Sequence, residues 1–403
     1  MPEVADNRPL VISLCGTFLK PEMQSIYRQV TGLCRWRTVV YTQSHTNAGM
    51  FPFEPVITLK RLPRPRQRGN FILRFWFKYV VQQWPPPIPI KKDVQPYYPY
   101  DLVTRLQKDR PDLVHVYYGH KAVHYLDMLE AWGGAWVVSF HGVDVSKFIE
   151  MEGYLEKLRR VFAEARMVMA RSHSLLSKLE SLGCPRGKLR LNRTAIPLEH
   201  LSGTVRQPPT DGHWRFVQAC RLIQKKGILT TLEALAVVKV RYPKFKYIIC
   251  GDGPLRNKIA ATVTHLGLGD NVELTGWLPQ QRLIAEYHRA HLFLHPSEKT
   301  RDGDQEGVPN SMLEAMATGL PVVATQHGGI PEAVTQDRDG LLVPEHSAKE
   351  LAVAILLMMG DASLLSRSSE RAAASVRAKF GSEAQIAAME DVYFEAMKSS
   401  RSE

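Results

Sequence analysis

The stretch EGVPNSMLEAMATGLPVVATQHGGIPEAV, residues 306–334, decides how the rest of the chain is read. It opens on an acid, a glycine and a proline. NSMLEAMATG then reads as a helix, and LPVVAT as a short buried strand. A loop, a helix and a strand in that order form one unit of a parallel α/β sheet, because parallel strands need a crossover.

The same rhythm extends on both sides. Upstream, WRFVQAC, FKYIIC, NVELTGW and AHLFLHP read as strands, with helices expected over Ile228–Arg241 and Pro279–His288. Downstream come GLLV and a helix from Ala348 to Met359, and the last segment, from about Ser363, is helical and of mixed polarity. This predicts a Rossmann-like, doubly wound domain of about six strands. Before it, LSGTVRQPPTDGH, residues 201–213, is polar and turn-rich and reads as a domain linker. The first half alternates in the same way. LVISL leads into a Gly-Thr turn and a helical stretch from Pro21 to Val30, and WRTVVY, PVITL, DLVHVYY, AWVVSF, ARMVMAR and KLRLNR follow as strands. The expected layout is a first domain over 1–203, a second over 204–375, and a C-terminal helix over 376–403 that returns toward the first domain.

The bulk numbers narrow the function. A chain of 403 residues is long for one core and suggests two or three domains. No apolar run reaches the length of a membrane span. The N-terminus MPEVADNRPLVISL is acidic where an export signal is basic, so it reads as the start of the first strand. Five cysteines lie far apart without a CxxC pair, which fits buried free thiols in a reducing cytoplasm and suggests no zinc site. The net charge of +12 points to nucleic acid, an anionic membrane or phosphate-bearing small molecules. With no helix-turn-helix, zinc-finger or RNA-recognition pattern, nucleic acid is the weakest of the three.

In open α/β sheets ligands bind beyond the carboxyl ends of the strands, so the loops there carry the site. RLIQKKG follows the strand WRFVQAC and brings Arg221, Lys225 and Lys226 to a strand end, where cations can neutralise a diphosphate. A solvated basic turn is the alternative. GDGP, from Gly251 to Pro254, permits a sharp turn and is by itself a plain strand-to-helix connection. In the opening stretch, Pro309 to Ser311 begin a helix whose free N–H groups and dipole favour an anion. Gly307 lets the backbone approach a ligand, and Glu306 precedes the helix within reach of hydroxyls beside the phosphates. Glu314 lies little more than a turn in, and its carboxylate suits a vicinal diol such as ribose. An ordinary helix glutamate and a solvated loop acid are the alternative reading.

These residues together resemble the signature of the retaining glycosyltransferases of family 4, which have the GT-B fold. Glu306 and Glu314 match that family's E-x7-E pattern. Arg221, Lys226 and Gly227 match its Arg…Lys-Gly element, and GDGPLR and LTGWLP match in order and spacing. The resemblance implies two Rossmann-like domains facing a central cleft. It implies a nucleotide diphosphate-sugar donor, held by Gly251, Gly307, Val308, Pro309, Asn310, Ser311, Met312 and Glu314, and no essential metal or other cofactor. Glu306, Arg221 and Lys226 would act at the reacting centre. In the first half, SFHGVDVS (Ser139–Ser146), ARSHSLLSKLESLGCP and TAIPLEHL resemble a bacterial exopolysaccharide subgroup that includes colanic-acid-type transferases. That likeness makes His141 a donor-sugar contact, a structural histidine being the alternative. Gly16 and Thr17, with Phe18, stand where the family has a more Gly-rich phosphate loop.

The segment from Lys60 to Trp84 holds five cations up to Arg68 and then a run of aromatics. It suits the interface of an anionic membrane, or an amphipathic helix packed on its own domain. The implied activity is transfer of a sugar, with retention, to a lipid-linked oligosaccharide or other saccharide acceptor, by an enzyme in the cytoplasm and peripheral on the inner face of the membrane. A non-catalytic sugar-nucleotide-binding protein is the rival from another class, and a GT-B epimerase or phosphorylase the rival within it.

Overall fold

The structure is a computed structural model that describes residues 6–20, 23–62, 79, 81, 98–145, 148–199, 201–300 and 306–398. Strands β1 (Leu10–Phe18), β2 (Arg37–His45), β3 (Val56–Thr58), β4 (Leu113–Tyr117), β5 (Trp136–Phe140), β6 (Met167–Ala170) and β7 (Leu189–Leu191) make one sheet. Strands β8 (Trp214–Ala219), β9 (Phe245–Cys250), β10 (Val272–Gly276), β11 (Leu292–His295), β12 (Val322–Thr325) and β13 (Gly340–Val343) make another. The first runs β3-β2-β1-β4-β5-β6-β7 and the second β10-β9-β8-β11-β12-β13. Every strand pair in both is parallel. Helices cover both faces, so the central strands β4, β5, β11 and β12 are buried along their whole length. Their sequences are accordingly continuous apolar runs rather than alternating ones. Strand order reverses beside β1 and β8, and a ligand crevice opens at such a reversal.

The chain passes between the domains twice, side by side, at Ile196 and at Gly381. Ile196 N–H donates to the Phe380 carbonyl at 2.8 Å, and Ser382 N–H to the Ile196 carbonyl at 3.0 Å. Ile196 and Leu201 pack in the second domain's core with Val217, Phe293 and Met316. The crossing therefore precedes the polar stretch 201–213. The last segment is two helices. Ala362–Phe380 buries Ala372, Val376 and Phe380 on the second domain. Ser382–Lys398 buries Met389, Val392 and Tyr393 against Val11, Leu113 and Val137 of the first sheet. Arg35 fastens this helix through Glu390 at 2.9 Å. The return to the first domain thus falls at Gly381.

Two expectations change. Gly16 and Thr17 are not a turn: β1 continues to Phe18, because β2 runs on to His45 and offers it partners, Thr17 opposite Ser44 and Phe18 opposite His45. A Cβ at Gly16 would lie 2.2 Å from Lys121 Cε, so this glycine makes room for a lysine laid over the strand. Among the thiols, Cys15, Cys184 and Cys250 are buried, Cys220 is half-buried and Cys34 is exposed. The Lys60–Trp84 segment lies mostly outside the described residues; its described end at Arg61 bridges to Tyr100. Among the described residues no helix is long and apolar enough to cross a membrane.

Candidate functional site

The second domain supplies one wall. After β8, Arg221 lies exposed with no ion pair to a described residue. The short turn Gln224–Lys226 closes on Gly227, whose φ is 60°; a Cβ there would sit 1.8 Å from the Pro296 carbonyl oxygen, so only glycine fits. Buried Gln218 donates to the Lys226 carbonyl at 2.8 Å and accepts from the Tyr247 hydroxyl at 2.5 Å. With its backbone held this way, Lys226 extends Nζ to Glu306 Oε2 at 2.5 Å.

Glu306 is held from the other side by the His327-Gly328-Gly329 turn. Its N–H donates to His327 Nε2 at 2.9 Å, and its carbonyl accepts from Gly329 N–H at 3.3 Å. Because Nε2 accepts, His327 carries its proton on Nδ1 and donates it to Glu345 Oε1 at 2.8 Å. Gly328 has φ 54° and passes so close that a Cβ would be 2.0 Å from the Glu306 carbonyl oxygen. Burial pushes the Glu306 carboxyl up, but the charges of Lys226 and Lys225 outweigh it and hold the pKa at about 2. Glu306 is thus a fixed anion at neutral pH.

The helix Asn310–Ala317 follows Pro309. Leu313 N–H goes to the Pro309 carbonyl at 3.1 Å, which leaves the N–H groups of Asn310, Ser311 and Met312 at the helix start. The Ser311 hydroxyl donates to the Ala219 carbonyl at 2.6 Å and pins that start to the end of β8. The side chains of Val308 and Met312 are buried in the domain core, so only their backbone can reach a donor. At Gly307 the space a Cβ would take is open. Gly251 has a packing reason for being glycine, since its φ is 141° and a Cβ would lie 1.9 Å from the Cys220 carbonyl oxygen. Glu314 is buried and accepts from Gln280 Nε2 at 3.3 Å. It also accepts at 2.9 Å from Arg28, on the first-domain helix Gln24–Gly32, so this acid ties the two domains together.

The first domain supplies the other wall through His141, just past β5. The His-Gly-x-Asp spacing has a mechanical cause. Asp144, fully buried, accepts from His141 N–H at 2.8 Å with one oxygen, and its other oxygen lies 2.8 Å from His120 Nδ1. The ring of His141 lies against Tyr118, centroids 4.2 Å apart. A buried polar chain runs beneath it. His141 Nε2 lies 3.2 Å from Ser139 Oγ, Ser139 Oγ 3.0 Å from His115 Nε2, and His115 Nδ1 2.6 Å from the Tyr393 hydroxyl. With Tyr393 as first donor, each member donates once, and His141 keeps its proton on Nδ1, away from Ser139. Burial draws the His115 pKa down to about 3, and burial with the nearby Arg171 charge draws His141 well below the ordinary histidine value. Both rings are therefore neutral hydrogen-bonding groups.

His141 and Gly142 face Glu306 and Gly307 across one cavity of about 560 Å³, whose walls also carry Arg171 and Lys299. The structure thus joins His141 and Glu306 in one cleft and pairs Lys226 with Glu306, while Gly16 and Thr17 lie in a strand. Sequence reading missed His327 and Glu345, which position Glu306; Arg28, which meets Glu314; and the His115–Tyr393 end of the relay. His327 stood in the QHGG stretch and was findable there. Tyr393 carried no local signal. Among the described residues no group of three or more His, Cys, Asp or Glu is placed to hold a metal.

Two parallel Rossmann-like domains with a shared cleft define the GT-B class of glycosyltransferase folds. The model of the glycosyl transferases group 1 matches residues 206–375, and that of Glycosyltransferase Family 4 matches residues 53–200. The chain belongs to this family 4, group 1 type of glycosyltransferase. It is 34% identical over 258 residues to the amylovoran biosynthesis glycosyltransferase AmsK of Erwinia amylovora, covering 63% of this chain and 62% of that protein. It is 35% identical over 214 residues to the putative colanic acid biosynthesis glycosyltransferase WcaL of Escherichia coli, covering 53% of this chain and 52% of that one. These matches span little more than half the length of the curated relatives. The solved structure of Anabaena Alr3699/HepE in complex with UDP superposes with a TM-score of 0.74 at 16% identity, over 95% of this chain and 98% of that one, which shows the shared fold.

Proposed function

We propose that the protein transfers a sugar, with retention of anomeric configuration, from a nucleotide diphosphate-sugar to a hydroxyl of a lipid-linked or other saccharide acceptor in the making of a bacterial surface polysaccharide. The observation that carries this reading is the Lys226–Glu306 pair beside a helix start, with Glu306 and His141 on opposite walls of one cavity. The names of AmsK and WcaL, each a biosynthetic glycosyltransferase for an exopolysaccharide, support the same reading.

In this reading the diphosphate lies on Arg221, Lys226 and the N–H groups of Asn310 to Met312, and the ribose diol lies at Glu314. As the bond from the anomeric carbon to the diphosphate breaks, negative charge grows on the leaving oxygen. Fixed cations and amides there stabilise the transition state more than the ground state. The acceptor oxygen attacks from the same face, and its proton passes to the departing phosphate. Glu306, kept ionised, accepts hydrogen bonds from donor-sugar hydroxyls, and neutral His141 bonds the sugar from the other wall. The counter-charge comes from the protein, and the reading includes no essential metal.

A thermal-shift panel of nucleotide-sugars, followed by NMR of the product made from the best donor, tests it. Stabilisation by one donor and a product of the donor's own anomeric configuration are expected. No binding of any nucleotide-sugar, an inverted product, or conversion of the donor without an acceptor would overturn it. The protein would dock on the inner face of the membrane through the basic and aromatic segment from Lys60 to Trp84. Each cation contributes about 1 kcal/mol at an anionic surface, so attachment would be reversible. Reversal of Arg61, Arg64 and Arg66 to Glu should release the protein from anionic vesicles. A wild type that ignores such vesicles at low salt would refute the docking.

A further inference from the structure

The first-domain wall carries a cation that the proposed transfer leaves without a task. Arg171 follows β6 and lines the cavity shared by His141 and Glu306. Among the described residues its side chain makes one polar contact, from Nη2 to Ser25 Oγ at 2.9 Å, and no carboxylate lies within ion-pair distance. Burial draws its pKa below the ordinary arginine value, and the nearby Tyr118, Asp144 and Tyr117 only partly offset that. Asp144 is already engaged by His120 and the His141 amide. A guanidinium taken partly out of water and left without an anion carries a desolvation cost that a bound anion would relieve. Its planar fork fits two oxygens of a carboxylate or phosphate.

The cavity also says which substrate brings the anion. Its walls are mostly first-domain residues, and from the second domain they include Lys299, Glu306 and Gly307 but not Arg221, Lys226 or Asn310. In the transferase reading the donor diphosphate is served by those three residues, none of which lines this cavity. Lys178 and Lys299 stand on the same walls as Arg171 and strengthen the positive field there, against Glu150 and the already paired Glu306.

We infer that Arg171 is the anion-reading residue of an acceptor subsite, and that the acceptor is an anionic saccharide whose carboxylate or phosphate pairs with the guanidinium. This rests on the transferase reading above and adds the substrate class to it.

The test uses the full chain saturated with UDP, or with GDP where the donor panel selects it, so that the diphosphate site is already filled. Calorimetry then compares methyl glucuronide, glucose 6-phosphate and the neutral methyl glucoside. One or both anionic sugars are expected to bind about tenfold tighter than the neutral one, the winner telling a carboxylate acceptor from a phosphorylated one. Arg171→Gln should erase that preference, Arg171→Lys should keep part of it, and both should bind the nucleotide within about twofold of wild type and melt at its temperature. Equal binding of charged and neutral sugars by the wild type overturns the inference. So does a loss of nucleotide affinity in Arg171→Gln as large as the loss for the anionic sugar, which would put Arg171 at the donor phosphates. Failure of the wild type to bind any nucleotide would instead strike the transferase reading itself.

Discussion

The two walls of the cavity hold their chemical groups by different means. On the second-domain wall, Lys226 and Glu306 are fixed through their own backbones, by Gly227 against Pro296, by Gln218, and by the turn at Gly328. On the first-domain wall, Asp144 holds the His141 backbone, but its ring is fixed through side chains, by a buried chain that ends at Tyr393, 278 positions beyond His115. The first arrangement is built into one domain. The second is complete only when the C-terminal helix has crossed back and docked. In the proposed reading the charge that works by electrostatic stabilisation sits on the wall held within one domain, and the neutral hydrogen-bonding ring on the wall that the C-terminal helix completes.

Breaking the rigid wall should have the largest effect. Glu306→Gln removes the fixed anion but keeps its shape, and turnover should fall by about 10²–10³-fold in a steady-state assay with the far-UV circular dichroism unchanged. Activity within twofold of wild type would remove Glu306 from the reacting centre. Lys226→Ala should come next. It deletes one charge-assisted bond of about 1.5–3 kcal/mol, so calorimetry should show nucleotide diphosphate binding weakened about 10–100-fold and the nucleoside barely affected. Equal losses for both ligands would point to a misplaced Glu306 instead.

The assembled wall should respond more mildly. Tyr393→Phe removes one neutral hydrogen bond from the relay and Ser139→Ala removes two; at about 0.5–1.5 kcal/mol for the bond that orients His141, a roughly 2–10-fold rise in donor KM is expected from either, with nucleotide binding unchanged. The double variant should cost little more than either single one, because either break frees the His141 proton to move to Nε2. Additive losses would mean that the two residues act separately.

The smallest effect sharpens the contrast through pH. The Glu306 carboxyl is depressed from 4.5 to about 2, so its contribution to stability is complete above pH 4.5 and disappears as pH falls through 2. The melting-temperature difference between wild type and Glu306→Gln should therefore shrink steadily from pH 5 to pH 2. A difference independent of pH would show that the pair with Lys226 does not form in solution.

The same contrast explains what could be read from the chain in advance. Apolar runs such as LVHVY and WVVSF marked the strands because a parallel sheet buried on both faces has no polar side to show. The acids of E-x7-E and the cations after β8 were legible because strand ends, glycines and a helix start lie within a few residues of one another. Gly16 and Thr17 were misplaced because strand length is set by the partner strand, which local sequence does not contain. Met312 read as a donor contact because it lies at the helix start; the turn of the helix points its side chain into the core, which leaves only its N–H for that role.

The sequence by itself determined two doubly wound domains, the identity of the acids and cations, and the glycines that let backbones approach. Those are properties of neighbours along the chain, where spacing and local conformation do the work. Only the tertiary structure decided that Arg28 meets Glu314 across the domains, that Tyr393 closes the relay under His141, and that Arg171 lines a cavity with no carboxylate of the described residues within ion-pair distance. These depend on distances through space between residues hundreds of positions apart, and on the burial that makes an unpaired charge costly, neither of which exists until the chain has folded.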